Sequence, residues 1–241
     1  MELVTDGIHR LGTKAHNFYV VTEGGKATVI DAGCAKELRK LVDGLQSIGL
    51  GLDDVEALVI THAHGDHFGF AAELAESGTP VKVHEEERSR ANGSYEGRFS
   101  AGTGDMRFGR LATYRNFLPL LRLGVSNVTH TDDVETVRDG ELLDLPGRPQ
   151  VVHTPGHTEG HIAFQCDERR TTFTGDALAS MPLFGGPTGP QLMEDTFHLD
   201  VDLARESLSR LASLGSHLVL PGHGEPMRMS IAEAVEVALE S

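Results

Sequence analysis

The sequence predicts an α/β protein, and three observations support this fold class. Short apolar runs typical of β-strands alternate with segments whose apolar residues recur at helical spacing. Clusters of histidine, aspartate and glycine follow several of these runs directly, which is where α/β proteins place their chemistry. The two halves of the chain also resemble each other, because VIDAG and LVITHAHG in the first half have counterparts in FTGD and LVLPGHG in the second. We therefore expect two similar halves that face each other across a shared cleft.

Length and composition limit the size and the partners of the protein. With 241 residues and 39% apolar content, the chain can bury one substantial core, so we expect a single domain over residues 1–241 with a lid-like insertion at about 85–127. The net charge of −15 repels phosphates and anionic lipids, which argues against nucleic acid and membrane surfaces as partners. Two distant cysteines, the lack of a leader-like start and the lack of a membrane-length apolar run predict a cytoplasmic protein that acts on a small molecule.

The first half of the chain contains paired strands followed by helices. Residues 1–31 alternate like paired strands, and residues 35–48 have the apolar spacing of an amphipathic helix. Asp31 ends the last of these strands, where it could either orient a ligand histidine or cap the following helix. Residues 57–60 form an apolar strand, and residues 68–76 form the helix after it.

The second half begins after an irregular segment. Residues 81–84 read as a strand, whereas residues 85–127 lose the regular spacing and predict an insertion over the body of the protein. Asp139-Gly140 predicts a hairpin turn between strands at 134–137 and 141–145. The other predicted elements are strands at 150–153, 171–174 and 217–220 and helices at 201–214 and 230–240.

The strongest motif is Thr61-His-Ala-His-Gly-Asp-His67, which directly follows an apolar strand. His62 and His64 are two residues apart, so on an extended segment their side chains project to the same side and can bind one ion. Gly65 allows a change of direction, after which Asp66 and His67 face a different point in space. One loop could therefore supply ligands to two adjacent metal sites. The alternative is a polar loop whose histidines form local hydrogen bonds.

Three further candidate ligand clusters also follow apolar strands. They are TPGHTEGH with His157 and His161, TGDA with Asp176, and PGHG with His223. Glycine lies beside each polar residue, which lets the backbone approach a ligand closely.

Taken together, HAHGDH, TPGHTEGH, TGDA and PGHG resemble the metallo-β-lactamase superfamily of hydrolases over nearly the whole chain. The resemblance implies an αββα sandwich, in which two mixed β-sheets pack face to face with helices on both outer faces and a dinuclear metal centre at one edge. It also implies a ligand set, with His161 outside the ligands and His153 structural. In this set His62, His64 and His157 hold one metal, Asp66, His67 and His223 hold the other, and Asp176 bridges them.

The chemistry implied by this resemblance is hydrolysis with two divalent metal ions, expected to be Zn²⁺, with iron or manganese as alternatives. Zinc lowers the pKa of bound water from ~15.7 to ~7, so a bridging hydroxide could attack the carbonyl of a lactone, ester, thioester or amide. We expect a lactone or ester, with Asp66, or His161 through water, passing on the proton.

Other functions remain open at this stage. The acidic end of the chain argues against glutathione thioesters, and residues 177–184 contain no tyrosine of the kind that the lactonases typically place after the bridging aspartate. A mononuclear iron dioxygenase acting on persulfides, a β-lactam hydrolase and a non-catalytic metal-binding scaffold are the alternatives.

The insertion has a distinctive charge. Between Arg88 and Arg122 there are seven arginines and two acidic residues, interleaved with aromatic side chains. This pattern predicts either a basic flap that docks on the acidic body or on a second subunit of a homodimer, or a lid whose arginines grip an anionic substrate. The expected substrate-binding residues are Phe68, Met106, Arg107, Phe108, Arg110, Tyr114, Arg115, Phe117 and Phe184.

Overall fold

The computed structural model describes residues 1–13, 15–97 and 111–240, which form two mixed β-sheets packed face to face. The first sheet has seven strands in sequence order. They are β1 (Glu2–Thr5), β2 (Ile8–Gly12), β3 (Asn17–Glu23), β4 (Lys26–Ile30), β5 (Val55–Val59), β6 (Val81–His84) and β7 (Glu135–Val137). Strands β1 to β4 pair antiparallel, and β4 to β7 pair parallel.

The second sheet has four strands in the order β11-β10-β9-β8. They are β8 (Gln150–His153), β9 (Ile162–Cys166), β10 (Thr171–Gly175) and β11 (Leu218–Pro221). The β10–β11 pair is parallel, and the other two pairs are antiparallel.

The described residues form six α-helices, of which two pack on the outer face of each sheet. They are α1 (Leu38–Ser47), α2 (Ala71–Glu76), α3 (Arg88–Ala91), α4 (Leu111–Leu123), α5 (Val201–Ala212) and α6 (Ile231–Glu240). None of the helices within the described residues is both long and apolar enough to span a bilayer.

The core consists of three regions, because successive side chains along each strand point to opposite faces of its sheet. Phe18 and Val20 of β3 face outward and pack with α1 and α2, whereas Tyr19 and Val21 face inward and pack against the second sheet. On the far side, Val219 of β11 packs with residues of α5 and α6. The four layers are therefore helix, sheet, sheet and helix, and the αββα sandwich implied by the motifs is the observed fold.

The internal repeat is present in the topology. The strands that carry VID and LVI, β4 and β5, form a parallel pair in the first sheet. The strands that carry FTG and LVLP, β10 and β11, form a parallel pair in the second sheet. The polar residues after these strands consequently leave their sheets at equivalent places.

The predicted hairpin around Asp139-Gly140 is wrong. Strand β7 pairs parallel with β6 and extends the first sheet, while the chain after the turn forms a single bridge, Leu142 to Gln150, with the second sheet. The turn therefore connects the two sheets instead of closing a hairpin. Strand β9, which the sequence analysis did not predict, follows His161 directly.

Asn17 ties the first sheet to the loop that carries His223. Its side-chain amide donates to the carbonyl oxygens of Pro221 at 2.9 Å and Gly224 at 2.7 Å, and the Tyr19 hydroxyl also donates to Pro221 at 2.8 Å. Asn17 is completely buried, so water does not compete for these bonds.

We expect Asn17→Ala to lower the free energy of unfolding by ~2–3 kcal/mol, because a buried carbonyl loses its donor. Tyr19→Phe is the matched control and should lower the free energy by ~1 kcal/mol, since Pro221 keeps the bond from Asn17. Urea unfolding of the chelator-treated proteins measures both values. An Asn17→Ala variant as stable as Tyr19→Phe would show that the amide does not hold this loop.

Candidate metal centre

The candidate ligands lie where strands of both sheets end. The loop after β5 supplies His62, His64, Asp66 and His67, and the loops after β8, β10 and β11 supply His157, Asp176 and His223. The structure therefore brings together all seven residues that the sequence analysis named as ligands. Gly222 is required at this crowded point, because a Cβ atom there would lie 2.3 Å from an Asp176 carboxylate oxygen.

The first group consists of His62, His64 and His157. The His157 Nε2 atom lies 3.2 Å from His62 Nε2 and 3.0 Å from His64 Nδ1. The ligand atoms of the three residues all lie within 4.8 Å of one another. Three imidazole nitrogens facing one point is the arrangement that proteins use for zinc and similar ions.

The second group consists of Asp66, His67 and His223, and its ligand atoms also lie within 4.8 Å of one another. The His223 Nε2 atom is 3.6 Å from Asp66 Oδ2, and His67 Nε2 is 3.9 Å from Asp66 Oδ1.

Asp176 lies between the two groups. Its Oδ2 atom is 3.1 Å from His223 Nε2 and 3.4 Å from His157 Nε2. Its Oδ1 atom is 3.3 Å from His67 Nε2, and neither of these two buried atoms has a hydrogen-bond partner. One carboxylate thus faces donors of both groups, as the position of a bridging ligand requires.

Hydrogen bonds behind the ring nitrogens fix the ligand histidines. His67 Nδ1 donates to Asp31 Oδ2 at 2.8 Å, and Asp31 also accepts from the Thr61 amide at 2.7 Å. His223 Nδ1 donates to the carbonyl oxygen of Ala15. Asp31 therefore orients His67, a candidate ligand, and does not cap the next helix, which begins at Leu38.

Asp31 adopts a backbone conformation that is rare outside glycine. Its φ angle is 62°, in the left-handed region. This conformation directs the carboxylate back toward Thr61 and His67, which explains why an aspartate is tolerated at this turn.

His161 occupies a different position from the one that proton transfer requires. Its Nε2 atom accepts a hydrogen bond from the Asp176 backbone amide at 3.0 Å, and its Nδ1 atom lies 2.8 Å from the Thr154 hydroxyl. Both ring nitrogens are engaged and the ring is fully buried, so His161 supports the loop of Asp176.

The two groups differ in their electrostatics. Burial lowers the pKa of His62 and His157 well below the usual value and that of His64 to about 4, so the first group is neutral at pH 7. Burial alone would also lower the pKa of His223, but the charge of Asp176 and its hydrogen bond raise it to about 9. The carboxylates raise the pKa of His67 in the same way. In the metal-free protein, these protons supply the positive charge that Asp66 and Asp176 require.

The residues present fit divalent metal ions. Imidazole nitrogens and carboxylate oxygens are the donors that zinc, iron and manganese take in proteins. Two of the buried atoms without hydrogen-bond partners, His67 Nε2 and Asp176 Oδ1, lie 3.3 Å apart where the two groups meet.

A cavity of about 280 Å³ opens over these residues. Its floor is polar and is formed by His64, Asp66, His157, Asp176 and His223. Its opposite side, here called the apolar wall, is formed by Phe117, Leu120, Val125, Leu183, Met193 and Phe197. Within the part of the chain that the structure describes, no lysine or arginine lines this cavity.

The expected substrate-binding residues have different outcomes. Phe117 lines the cavity, and Phe184 lies behind the apolar wall with its ring centroid 5.0 Å from that of Phe197. Phe68 does not contact the cavity, because the chain turns after Gly65 and directs this side chain into the core under the first sheet. Tyr114 and Arg115 are exposed on α4 and do not line the cavity. Met106, Arg107, Phe108 and Arg110 lie outside the described residues.

Several cavity residues were absent from the sequence analysis. Leu120, Leu183, Met193 and Phe197 come from segments far apart in sequence, and their neighbourhood has no local motif. Position directly after a strand identified the candidate ligands, but it does not identify the residues of an apolar wall that is built from one helix and a loop.

An αββα sandwich with histidine and aspartate donors at one edge defines a class of metal-dependent hydrolases. The sequence pattern of the metallo-beta-lactamase superfamily matches residues 11–223, and the chain belongs to this superfamily. It is therefore an enzyme of the metal-dependent hydrolase class.

Relatives support this assignment. The probable metallo-hydrolase YflN of Bacillus subtilis (strain 168) is 27% identical over 239 residues, which cover 92% of this chain and 85% of YflN. A hydroxyacylglutathione hydrolase of Xanthomonas axonopodis pv. citri (strain 306) is 31% identical over 208 residues, which cover 85% of this chain and 58% of the relative. The solved structure of TTHA1623 in a di-iron-bound form is 30% identical, with a TM-score of 0.61 and coverage of 93% of this chain and 96% of that chain.

We expect the purified protein to bind two equivalents of divalent metal and to lose stability on chelation. A ligand present at 100 times its dissociation constant stabilises the folded state by ~2.7 kcal/mol, and its removal reverses this gain. Asp176→Ala should weaken the binding of both ions, because the carboxylate faces both groups, whereas exposed Asp144→Ala is the matched control. Metal analysis after dialysis measures the stoichiometry. Two tightly bound ions in Asp176→Ala would contradict the central position of this residue.

Proposed function

We propose that the protein is a dinuclear metal-dependent hydrolase of small lactones, esters or thioesters with an apolar acyl part. The observation that carries this proposal is the meeting of two donor groups at Asp176, on the floor of a cavity with an apolar wall. The polar floor provides the place for the chemistry, and the wall provides the place for the rest of the substrate.

Each donor group would hold one divalent ion, proposed to be zinc. The residues are His62, His64 and His157 for one ion and Asp66, His67 and His223 for the other, with Asp176 shared between them. Bound there, such ions polarise a carbonyl oxygen and lower the pKa of water toward neutrality.

Asp66 is the residue proposed to handle the proton of the attacking water. It lines the cavity, and its side chain is 13% exposed, so it can meet both water and a leaving group. In the metal-free protein, burial alone would raise the pKa of Asp66, but the charges of His67 and His223 lower it, so the carboxylate is ionised, which is the form that binds an ion. Because both nitrogens of His161 are engaged elsewhere, the proton route through His161 is not retained.

The cavity favours an uncharged acyl group over an anionic one. A carboxylate or phosphate would face aromatic and aliphatic side chains without a cationic partner among the described residues. Arg115 is one of the three arginines expected to grip an anion; it is exposed, with its Nε 3.4 Å from Asn116 Oδ1, whereas Arg107 and Arg110 lie outside the described residues. The proposal therefore places the carbonyl over the polar floor and the acyl chain against Phe117, Leu120 and Phe197.

Two relatives inform the remaining choices. The Xanthomonas relative is named for hydrolysis of a glutathione thioester, which supports a carbonyl carbon as the point of attack, but this chain matches only 58% of that protein. TTHA1623 is named for a di-iron-bound form, which makes iron the first alternative to zinc.

A hydrolysis screen on protein of measured metal content tests the proposal. The substrates are aliphatic lactones, p-nitrophenyl esters, acyl thioesters, hydroxyacylglutathione and a β-lactam, and we expect turnover of the first three classes. Asp176→Ala should abolish turnover, and Asp144→Ala should retain it. Oxygen consumption with a persulfide by protein that holds a single iron, without hydrolysis, would replace the hydrolase proposal with the dioxygenase alternative.

The apolar wall generates a separate prediction. Leu120→Ala should lower the preference for a hexanoyl over an acetyl ester by ~10-fold in kcat/KM, since a hydrophobic pocket discriminates by ~1–3 kcal/mol per methylene. Leu118→Ala lies on the exposed side of the same helix and is the matched control. Metal content should remain unchanged in both variants. An equal preference in Leu120→Ala and the wild type would remove the wall from substrate recognition.

A further inference from the structure

Glu87 is a buried carboxylate that contacts two metal-ligand loops at once. It has no exposed surface and lies in a short turn after β6. Its Oε2 atom accepts a hydrogen bond from the Ala63 backbone amide at 2.8 Å, and its Oε1 atom accepts one from the Gly160 backbone amide at 3.2 Å. Ala63 lies between His62 and His64, and Gly160 lies in the loop of His157. One side chain therefore joins loops that come from different sheets.

The close approach at Gly160 shows that this contact is built into the sequence. A Cβ atom at position 160 would lie 2.6 Å from the Glu87 backbone nitrogen. Only glycine allows the His157 loop to come this near to the turn that carries Glu87.

Arg90 compensates the buried charge of Glu87 and also contacts the loop that carries His157. Its side chain is 1% exposed, and its Nε atom is 3.9 Å from Glu87 Oε1. Its Nη2 atom donates to Glu159 Oε2 at 2.9 Å, and its guanidinium lies 3.5 Å from the centre of the Tyr95 ring. Glu159 lies in the His157 loop, so Arg90 holds this loop from its outer side. Removing one partner of such a buried charge pair destabilises the folded protein, because the other charge stays buried without compensation.

The first group needs an external constraint of this type. The facing nitrogens of its three imidazoles lie 3.0–3.2 Å apart. At most one proton can be shared between two such nitrogens, so three of them do not hold one another at this distance. The Ile162 amide bonds to the Thr61 carbonyl at 2.9 Å, but this contact lies at the strand ends, before the ligand-bearing parts of the loops.

We propose that Glu87 is a positioning residue that sets the distance between His157 and the His62–His64 loop before any ion binds. It belongs to neither donor group and does not line the cavity, and it acts through the Ala63 and Gly160 amides. The proposal rests on the proposed function only in taking the first group as a metal site.

The test compares Glu87→Gln with Glu85→Gln. The Glu87→Gln substitution keeps the shape of the side chain, but the new NH₂ group faces one of the two amide donors, so one of the two bonds is lost. Glu85 is on the same turn, and its carboxylate contacts Arg138 on the surface, which makes it the matched control. We expect Glu87→Gln to weaken the binding of the ion at the first group by ~10–100-fold. The dissociation constant of the ion at the second group should stay within ~3-fold of the wild-type value.

Titration of the metal-free proteins against a chromophoric chelator measures both dissociation constants. The absorption spectrum of the Co²⁺-loaded protein reports separately whether the histidine environment of the first ion has changed. Wild-type protein that binds fewer than two ions would contradict the proposed function. Wild-type protein that binds two ions, alongside a Glu87→Gln variant that binds both with unchanged constants and an unchanged spectrum, would overturn the positioning role alone.

A second variant keeps the test decisive if Glu87→Gln does not fold. Gly160→Ala keeps the carboxylate but displaces the His157 loop from Glu87, and its backbone conformation accepts alanine without a left-handed φ. We expect the same selective weakening of the first ion. Equal weakening of both ions, or wild-type constants for both, would show that the contact between Glu87 and this loop does not set the geometry of the first group.

Discussion

The structure depends on a buried carboxylate, Asp176, that faces four imidazole rings. Its oxygens lie 3.1–3.8 Å from nitrogens of His62, His67, His157 and His223. An isolated buried charge is strongly unfavourable, so the ends of strands from both sheets must converge at this one point. Neither sheet alone supplies all the residues of either donor group. The sandwich is therefore a requirement of the site, because packing the sheets face to face brings the loops after β5, β8, β10 and β11 to one edge.

The sequence predicted this site better than it predicted its surroundings. The convergence of the seven candidate ligands could be predicted because each follows an apolar strand and has glycine nearby, and such strand ends meet at one edge of the fold. The hairpin at Asp139-Gly140 was wrong because a turn signal does not tell whether the next segment stays in the same sheet. Phe68 was misplaced because the direction of a side chain after Gly65 depends on tertiary packing. The apolar wall combines helix α4 with residues 183–197, and no local pattern links segments so far apart.

Each side of the site is held by a buried acid that is outside the ligand set. Asp31 orients His67, Glu87 contacts both loops of the first group, and Glu37 bonds to His16, which follows the Ala15 carbonyl that accepts from His223. Burial alone would raise the pKa of Glu37, but the hydrogen bond and charge of His16, together with Lys40, lower it to about 2. These carboxylates are paired, so they stabilise the loops without leaving unsatisfied charge.

The left-handed turn at Asp31 has a counterpart in the other half of the protein. Gly175, at the end of β10, has a φ angle of 50°, close to the 62° of Asp31 at the end of β4. A left-handed conformation costs a residue with a side chain ~1–2 kcal/mol, and glycine avoids this cost. One half keeps the acid on the turn itself, where it supports a histidine from behind. The other half has glycine on the turn and the acid one residue later, where it faces both donor groups. The two halves thus share a left-handed turn but differ by one residue in the position of the acid, which separates the supporting carboxylate from the one that faces both donor groups.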